Sequence, residues 1–151
     1  MNIIKNSGNY FFNQRNYIQA SRKYKKSLRF YKYLLEKINL QIDDNKKKLE
    51  QFYTINCINL AAAELKLFDY YSVKLACNEA LKIDKFNTKA LYRRAIAEME
   101  LKNYDKGFND IKLANSLNPN NKLIIYEYER IKNIYHNYRN MEKNAYKNLF
   151  Q

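Results

Sequence analysis

Asn59-Leu-Ala-Ala-Ala-Glu-Leu-Lys-Leu-Phe-Asp-Tyr70 and Arg93-Arg-Ala-Ile-Ala-Glu-Met-Glu-Leu-Lys-Asn-Tyr104 are one pattern written twice, at a constant offset. Asn59 falls on Arg93, Ala61 on Ala95, Glu64 on Glu98, Leu67 on Leu101 and Tyr70 on Tyr104. The match runs on, with Ala80 on Ala114, Ile83 on Leu117 and Asn87 on Asn121. A third copy opens the chain: Ile4, Gly8, Phe11, Tyr17, Ala20 and Tyr24 occupy the same phases, set off from the second copy by an insertion. A fixed period of this kind marks a repeat architecture, in which no unit buries its apolar face without a neighbour.

Composition agrees. The chain has 151 residues, 46 % hydrophobic and 28 % charged, which describes one globular domain. It holds 2 glycines and 1 proline. Sheets need many tight turns, and turns draw on those residues, so the fold class is all-α. Each unit reads as two short helices and a tight turn, at Arg15-Asn16-Tyr17, Phe68-Asp69-Tyr70 and Lys102-Asn103-Tyr104. Gly8, Ala61 and Ala95 let paired helices approach, as do Ala20, Ala80 and Ala114 on the second helices. Phe11, Tyr24, Leu60, Leu91 and Ile111 fill the remaining space. Leu117-Asn118-Pro119-Asn120 closes the third unit, with proline where a helix must stop.

These residues resemble a three-unit tetratricopeptide (TPR) domain over 1–121. The units lie at about 1–34, 54–87 and 88–121, with an extended helix and linker at 35–53. The pattern departs from the family at Ile4, Cys57 and Leu91, where a large aromatic is usual. Residues 122–151 form a C-terminal amphipathic helix, with Ile124, Tyr128, Ile131, Tyr135, Tyr138, Ala145 and Leu149 at three- and four-residue steps. Its inner end caps the solenoid, and its outer end projects into solvent. The expected architecture is a right-handed α-solenoid with a groove lined by the first helix of each unit.

Six polar side chains fall on that groove. Lys5 and Asn9 stand four apart on one helix face, Asn59 and Lys66 share a stripe of the second unit, and Lys89 and Arg93 stand four apart on the third. The set resembles the two-carboxylate clamp of chaperone-binding TPR domains. In that family the pattern is lysine and asparagine, then asparagine, then lysine and arginine, which here are Lys5, Asn9, Asn59, Lys89 and Arg93; Lys66 matches a supporting lysine. The resemblance implies a ligand: the Glu-Glu-Val-Asp tail of the cytosolic chaperones heat-shock protein 90 and heat-shock protein 70. Reversing Lys89 and Arg93 to glutamate is expected to abolish binding and leave helicity intact.

The insertion and the tail Glu142-Lys-Asn-Ala-Tyr-Lys-Asn-Leu-Phe150 look like the C-terminal half of large immunophilins, the FK506-binding proteins and the forty-kilodalton cyclophilin. That resemblance implies a prolyl isomerase domain elsewhere in a longer protein, and calmodulin as a second partner, touching Met141, Tyr146, Leu149 and Phe150. The segment itself offers no nucleophile–base pair, no glycine-rich phosphate loop and no metal cluster, so no catalysis and no cofactor are expected of it. His136 reads as a surface or capping side chain, and Cys57 and Cys77 as buried thiols of a reduced compartment. Met1-Asn-Ile-Ile-Lys-Asn lacks the apolar core of a signal peptide, and no run of about 18 apolar residues spans a membrane. The expected location is cytoplasmic or nuclear.

The formal charge is +13. Nucleic acid could answer such an excess, as could a TPR adaptor role of another kind. Its distribution argues otherwise, because 11 basic and 3 acidic residues in 15–48 put +8 on the first unit's second helix and the linker, away from the groove.

Overall fold

The computed structural model describes residues 2–37 and 44–149; the side chains of residues 2–5, 35 and 44 lie outside that description. Among the described residues seven helices follow one another: α1 (Asn2–Asn13), α2 (Tyr17–Lys37), α3 (Asp44–Lys66), α4 (Tyr70–Ile83), α5 (Thr88–Glu100), α6 (Tyr104–Leu117) and α7 (Lys122–Leu149). No strand occurs among them. Each helix packs on the next, and α3 also touches α1 and α5. The result is a solenoid in which α1, α3 and α5 form one layer.

The turns between paired helices repeat in atomic detail. Arg15, Phe68 and Lys102 hold the left-handed conformation, at φ 57°, 58° and 64°. This reverses the chain and lets the next amide reach back five residues: Asn16 N–H donates to the Phe11 carbonyl at 2.9 Å, Asp69 to Glu64 at 3.1 Å and Asn103 to Glu98 at 2.8 Å. The same asparagine or aspartate then opens the following helix. The Asp69 carboxylate accepts the Ser72 amide at 3.0 Å, and Asn16 accepts that of Gln19 at 3.2 Å. Asn103 differs, since its side chain donates to Glu98 at 2.6 Å instead of capping. Asn87 and Asn121 cap α5 and α7 in the same way.

Alanines close the helix pairs: Ala20, Ala61, Ala80, Ala95 and Ala114 are wholly buried. Tyr24, Leu60, Leu91 and Ile111 are buried beside them, while Phe11 is half-buried. On α7 the inner half packs through Ile124 and Ile131. There Tyr135 stacks on Phe108 of α6 with ring centroids 4.4 Å apart, and Tyr138 meets Tyr104 at 4.5 Å. Beyond Glu142 every described residue of α7 is exposed, Ala145 and Leu149 included.

The insertion is used differently from the extended helix and linker expected at 35–53. Asp44 and Asn45 already belong to α3, so the extra residues lengthen two helices rather than one. Leu49 and Tyr53, inside the stretch read as extended helix and linker, are buried, and Phe52 stacks on Tyr31 of α2 at 6.4 Å. Apolar contact between the two extensions holds them helical where polarity alone suggested a loop.

Candidate functional site

α1, α3 and α5 lie side by side and bring Asn9, Asn59 and Arg93 to one pocket of about 260 Å³. Phe12, Asn13, Tyr24 and Ala62 complete its lining. The repeat explains the convergence: Asn59 and Arg93 occupy the same phase of successive units, and the layer of first helices places equal phases next to each other.

The polar groups are tied to one another. Asn9 Oδ1 accepts two bonds, from the Tyr24 hydroxyl at 2.7 Å and from Asn59 Nδ2 at 3.2 Å. Arg93 donates one guanidinium N–H to the Ile58 carbonyl of α3 at 2.7 Å. Burial lowers the Arg93 pKa from arginine's ordinary value, yet a guanidinium stays charged at any physiological pH. Burial likewise pushes the Tyr24 phenol up to about 12, against the pull of the Arg93 charge, so Tyr24 is a neutral O–H donor. The pocket therefore joins a fixed positive charge to amide donors, which is the chemistry that holds a carboxylate.

The other expected groups stand around it. Lys89 is exposed on α5, one turn before Arg93. Lys66 is exposed in the last turn of α3, about 10 Å along the axis from Asn59, and does not line this pocket. Lys5 lies on α1 one turn before Asn9, and its side chain is outside the described residues. Arg93 departs from the expectation that it can be reversed to glutamate at no cost to the fold. Its partner is a backbone carbonyl, so a carboxylate there would set two acceptors against each other.

Tyr24, Phe12, Asn13 and Ala62 were not among the groove residues expected from sequence. Tyr24 sits on α2, and its spacing there marks it as core filler; no sequence signal shows that its hydroxyl reaches across to α1.

Elsewhere, Met141, Tyr146 and Leu149 are 73 %, 59 % and 75 % exposed on the outer half of α7, while Phe150 lies outside the described residues. His136 is exposed, with its ring 6.2 Å from that of Phe108. Cys57 and Cys77 are buried free thiols, and burial pushes both up to about 12. Among the described residues no group of three or more histidines, cysteines, aspartates or glutamates could hold a metal ion. No described helix is long and apolar enough to cross a membrane.

No family model matches the chain. It is 33 % identical over 92 residues to FK506-binding protein 59 of Drosophila melanogaster, a match covering 61 % of this chain and 21 % of the fly protein. The chain thus spans about a fifth of that relative's length. Among solved structures, the myosin chaperone UNC-45 of C. elegans, in complex with an Hsp90 peptide, superposes with a TM-score of 0.68 at 30 % identity, over 87 % of this chain and 13 % of UNC-45. The C-terminal TPR-containing domain of a Plasmodium falciparum FK506-binding protein superposes with a TM-score of 0.79 at 33 % identity, over 91 % of this chain and 89 % of that domain. A shared fold at that identity across almost the whole of both chains means that this chain belongs to the tetratricopeptide-repeat domains of the FK506-binding-protein kind.

Proposed function

We propose that this domain is a peptide-binding module that takes the acidic C-terminal tail of heat-shock protein 90 or heat-shock protein 70. The observation that carries the reading is the Asn9–Asn59–Arg93 pocket, which gathers amide donors and a guanidinium from three successive units. Lys89 extends the positive field along α5 for a second carboxylate further back in the peptide, and Lys5 on α1 adds a cation one turn from Asn9. UNC-45, part of which this chain resembles, was solved in complex with an Hsp90 peptide, which supports the choice of ligand.

Hydrogen bonds to charged groups contribute about 1.5–3 kcal/mol each, and ordering a flexible tail offsets much of their sum. The balance is a dissociation constant on the order of micromolar, about −8 kcal/mol. Calorimetry with Met-Glu-Glu-Val-Asp and with the same peptide as its C-terminal carboxamide tests this. The acid binds and the carboxamide loses at least tenfold; equal affinity of the two peptides overturns the clamp.

In the same reading the parent protein is a cytoplasmic immunophilin, with its prolyl isomerase activity in a separate domain, and this segment recruits the chaperone without catalysis of its own. The exposed Met141, Tyr146 and Leu149 on the basic outer half of α7 support calmodulin as a second partner.

A further inference from the structure

A carboxamide side chain is an acceptor at one end and a double donor at the other, so its orientation decides what a site can hold. Asn9 and Asn59 form a pair that either orientation would satisfy. With both amides turned round, Asn9 would donate to Asn59 and aim its oxygen into the pocket. That arrangement repels a carboxylate. The two orientations differ at a third group, the Tyr24 hydroxyl, which donates to Asn9 Oδ1 at 2.7 Å while Asn59 Nδ2 donates to the same oxygen at 3.2 Å. Both lone pairs of that oxygen are occupied, and the Asn9 NH2 has no partner among the described residues. A reversed Asn9 would leave the buried phenol O–H without its acceptor.

Tyr24 reaches this position because of the residue beside Asn9. A Cβ on Gly8 would lie 2.5 Å from Tyr24 Cε1 and 2.7 Å from Cδ1, so only glycine lets the ring lie against α1. The ring is 2 % exposed and has little freedom to carry its hydroxyl elsewhere.

We infer that Tyr24 is a positioning residue of this pocket: its hydroxyl holds the Asn9 amide by its oxygen and leaves the NH2 end free, so that Asn9 adds a donor beside the Arg93 guanidinium and the site favours an anionic carboxylate. The inference deepens the peptide-binding reading and rests on it for the ligand, but the orientation of the amide is a property of the protein by itself.

The test is a double-mutant cycle of Tyr24→Phe and Asn9→Ala, read by nuclear magnetic resonance titration with Met-Glu-Glu-Val-Asp up to millimolar concentration. Tyr24→Phe keeps the ring against Gly8 and removes only the hydroxyl. It should weaken the peptide about three- to tenfold, the scale of one hydrogen bond, and cause no further loss in the Asn9→Ala background. Wild-type affinity in Tyr24→Phe, or an equal loss with Asn9 absent, overturns the inference. The side-chain amide signals of Asn9 supply a reading without peptide: they shift or broaden in Tyr24→Phe if the hydroxyl holds the amide. Unchanged signals overturn the inference even if the wild-type domain binds no tail peptide, the result that would sink the peptide-binding reading instead. Should Tyr24→Phe fail to fold, the unmutated protein answers. Strong Overhauser contacts from the Asn9 NH2 protons to the Tyr24 Hε protons mean the opposite orientation and overturn the inference; weak contacts support it.

Discussion

The Glu64 carboxylate of α3 accepts the Ser21 hydroxyl of α2 at 2.6 Å while only 2 % exposed, and Lys25 of α2 reaches the same carboxylate at 2.7 Å. One unit later Glu98 holds the Lys74 ammonium of α4 at 3.2 Å. A buried glutamate thus fastens each second helix to the first helix of the next unit. Glu64→Ala strands the Ser21 hydroxyl and should lower the unfolding free energy in urea by about 2 kcal/mol, with Lys25 half-exposed and able to find water. Glu64→Gln keeps the Ser21 bond and should lose less.

Gly8 links stability to ligand affinity. Gly8→Ala forces the Tyr24 ring from α1, which should cost about 1–3 kcal/mol in stability and weaken tail-peptide binding together. Denaturation and calorimetry on one preparation check this. An effect on stability alone would mean that the ring yields without moving its hydroxyl.

Lys89→Glu is the clean charge reversal of the groove. The side chain is exposed on α5, so the melting temperature should hold within a few degrees. Peptide affinity should fall about tenfold, roughly 1.4 kcal/mol, and less at about 0.5 M salt than at about 0.05 M, because exposed charges are screened.

The left-handed turn residues can be relaxed. Lys102 is exposed at φ 64°, a conformation that penalises a side chain and that glycine adopts without strain. Lys102→Gly should raise stability by about 1 kcal/mol, measured as a higher urea midpoint at unchanged slope. Lys102→Ala should not.

The buried thiols set an alkaline limit. Burial holds Cys57 and Cys77 protonated to about 12 in the fold, while an unfolded thiol ionises from about 9. At alkaline pH the folded state then binds more protons than the unfolded one, so the thiols' contribution to stability is constant below about pH 8 and is lost as pH rises above about 9. The loss is on the order of 1 kcal/mol per pH unit for each thiol. Urea titrations from mildly to strongly alkaline pH should show it, and a Cys57→Ala/Cys77→Ala chain should flatten the slope.

The repeat was legible because its markers are identities. Alanine at a helix crossing and tyrosine after a turn answer local needs that recur once in every unit. The start of α3 was not legible. Asp43-Asp44-Asn45 reads as a linker by composition, yet an acidic residue at a helix start is favoured by the macrodipole, and the stacking of Phe52 on Tyr31 of α2 and the burial of Leu49 and Tyr53 are tertiary matters. At the site, spacing placed Asn9, Asn59 and Arg93 together because phase carries across a solenoid. Lys66, two turns further along the same stripe, does not line this pocket. Spacing gave no sign of Tyr24, which joins the pocket from a helix of the other layer.

The bond between Arg93 and the Ile58 carbonyl has a mechanical side. A groove cation anchored on the backbone of the neighbouring unit cannot move independently of it, so any change in the angle between α3 and α5 carries the charge along.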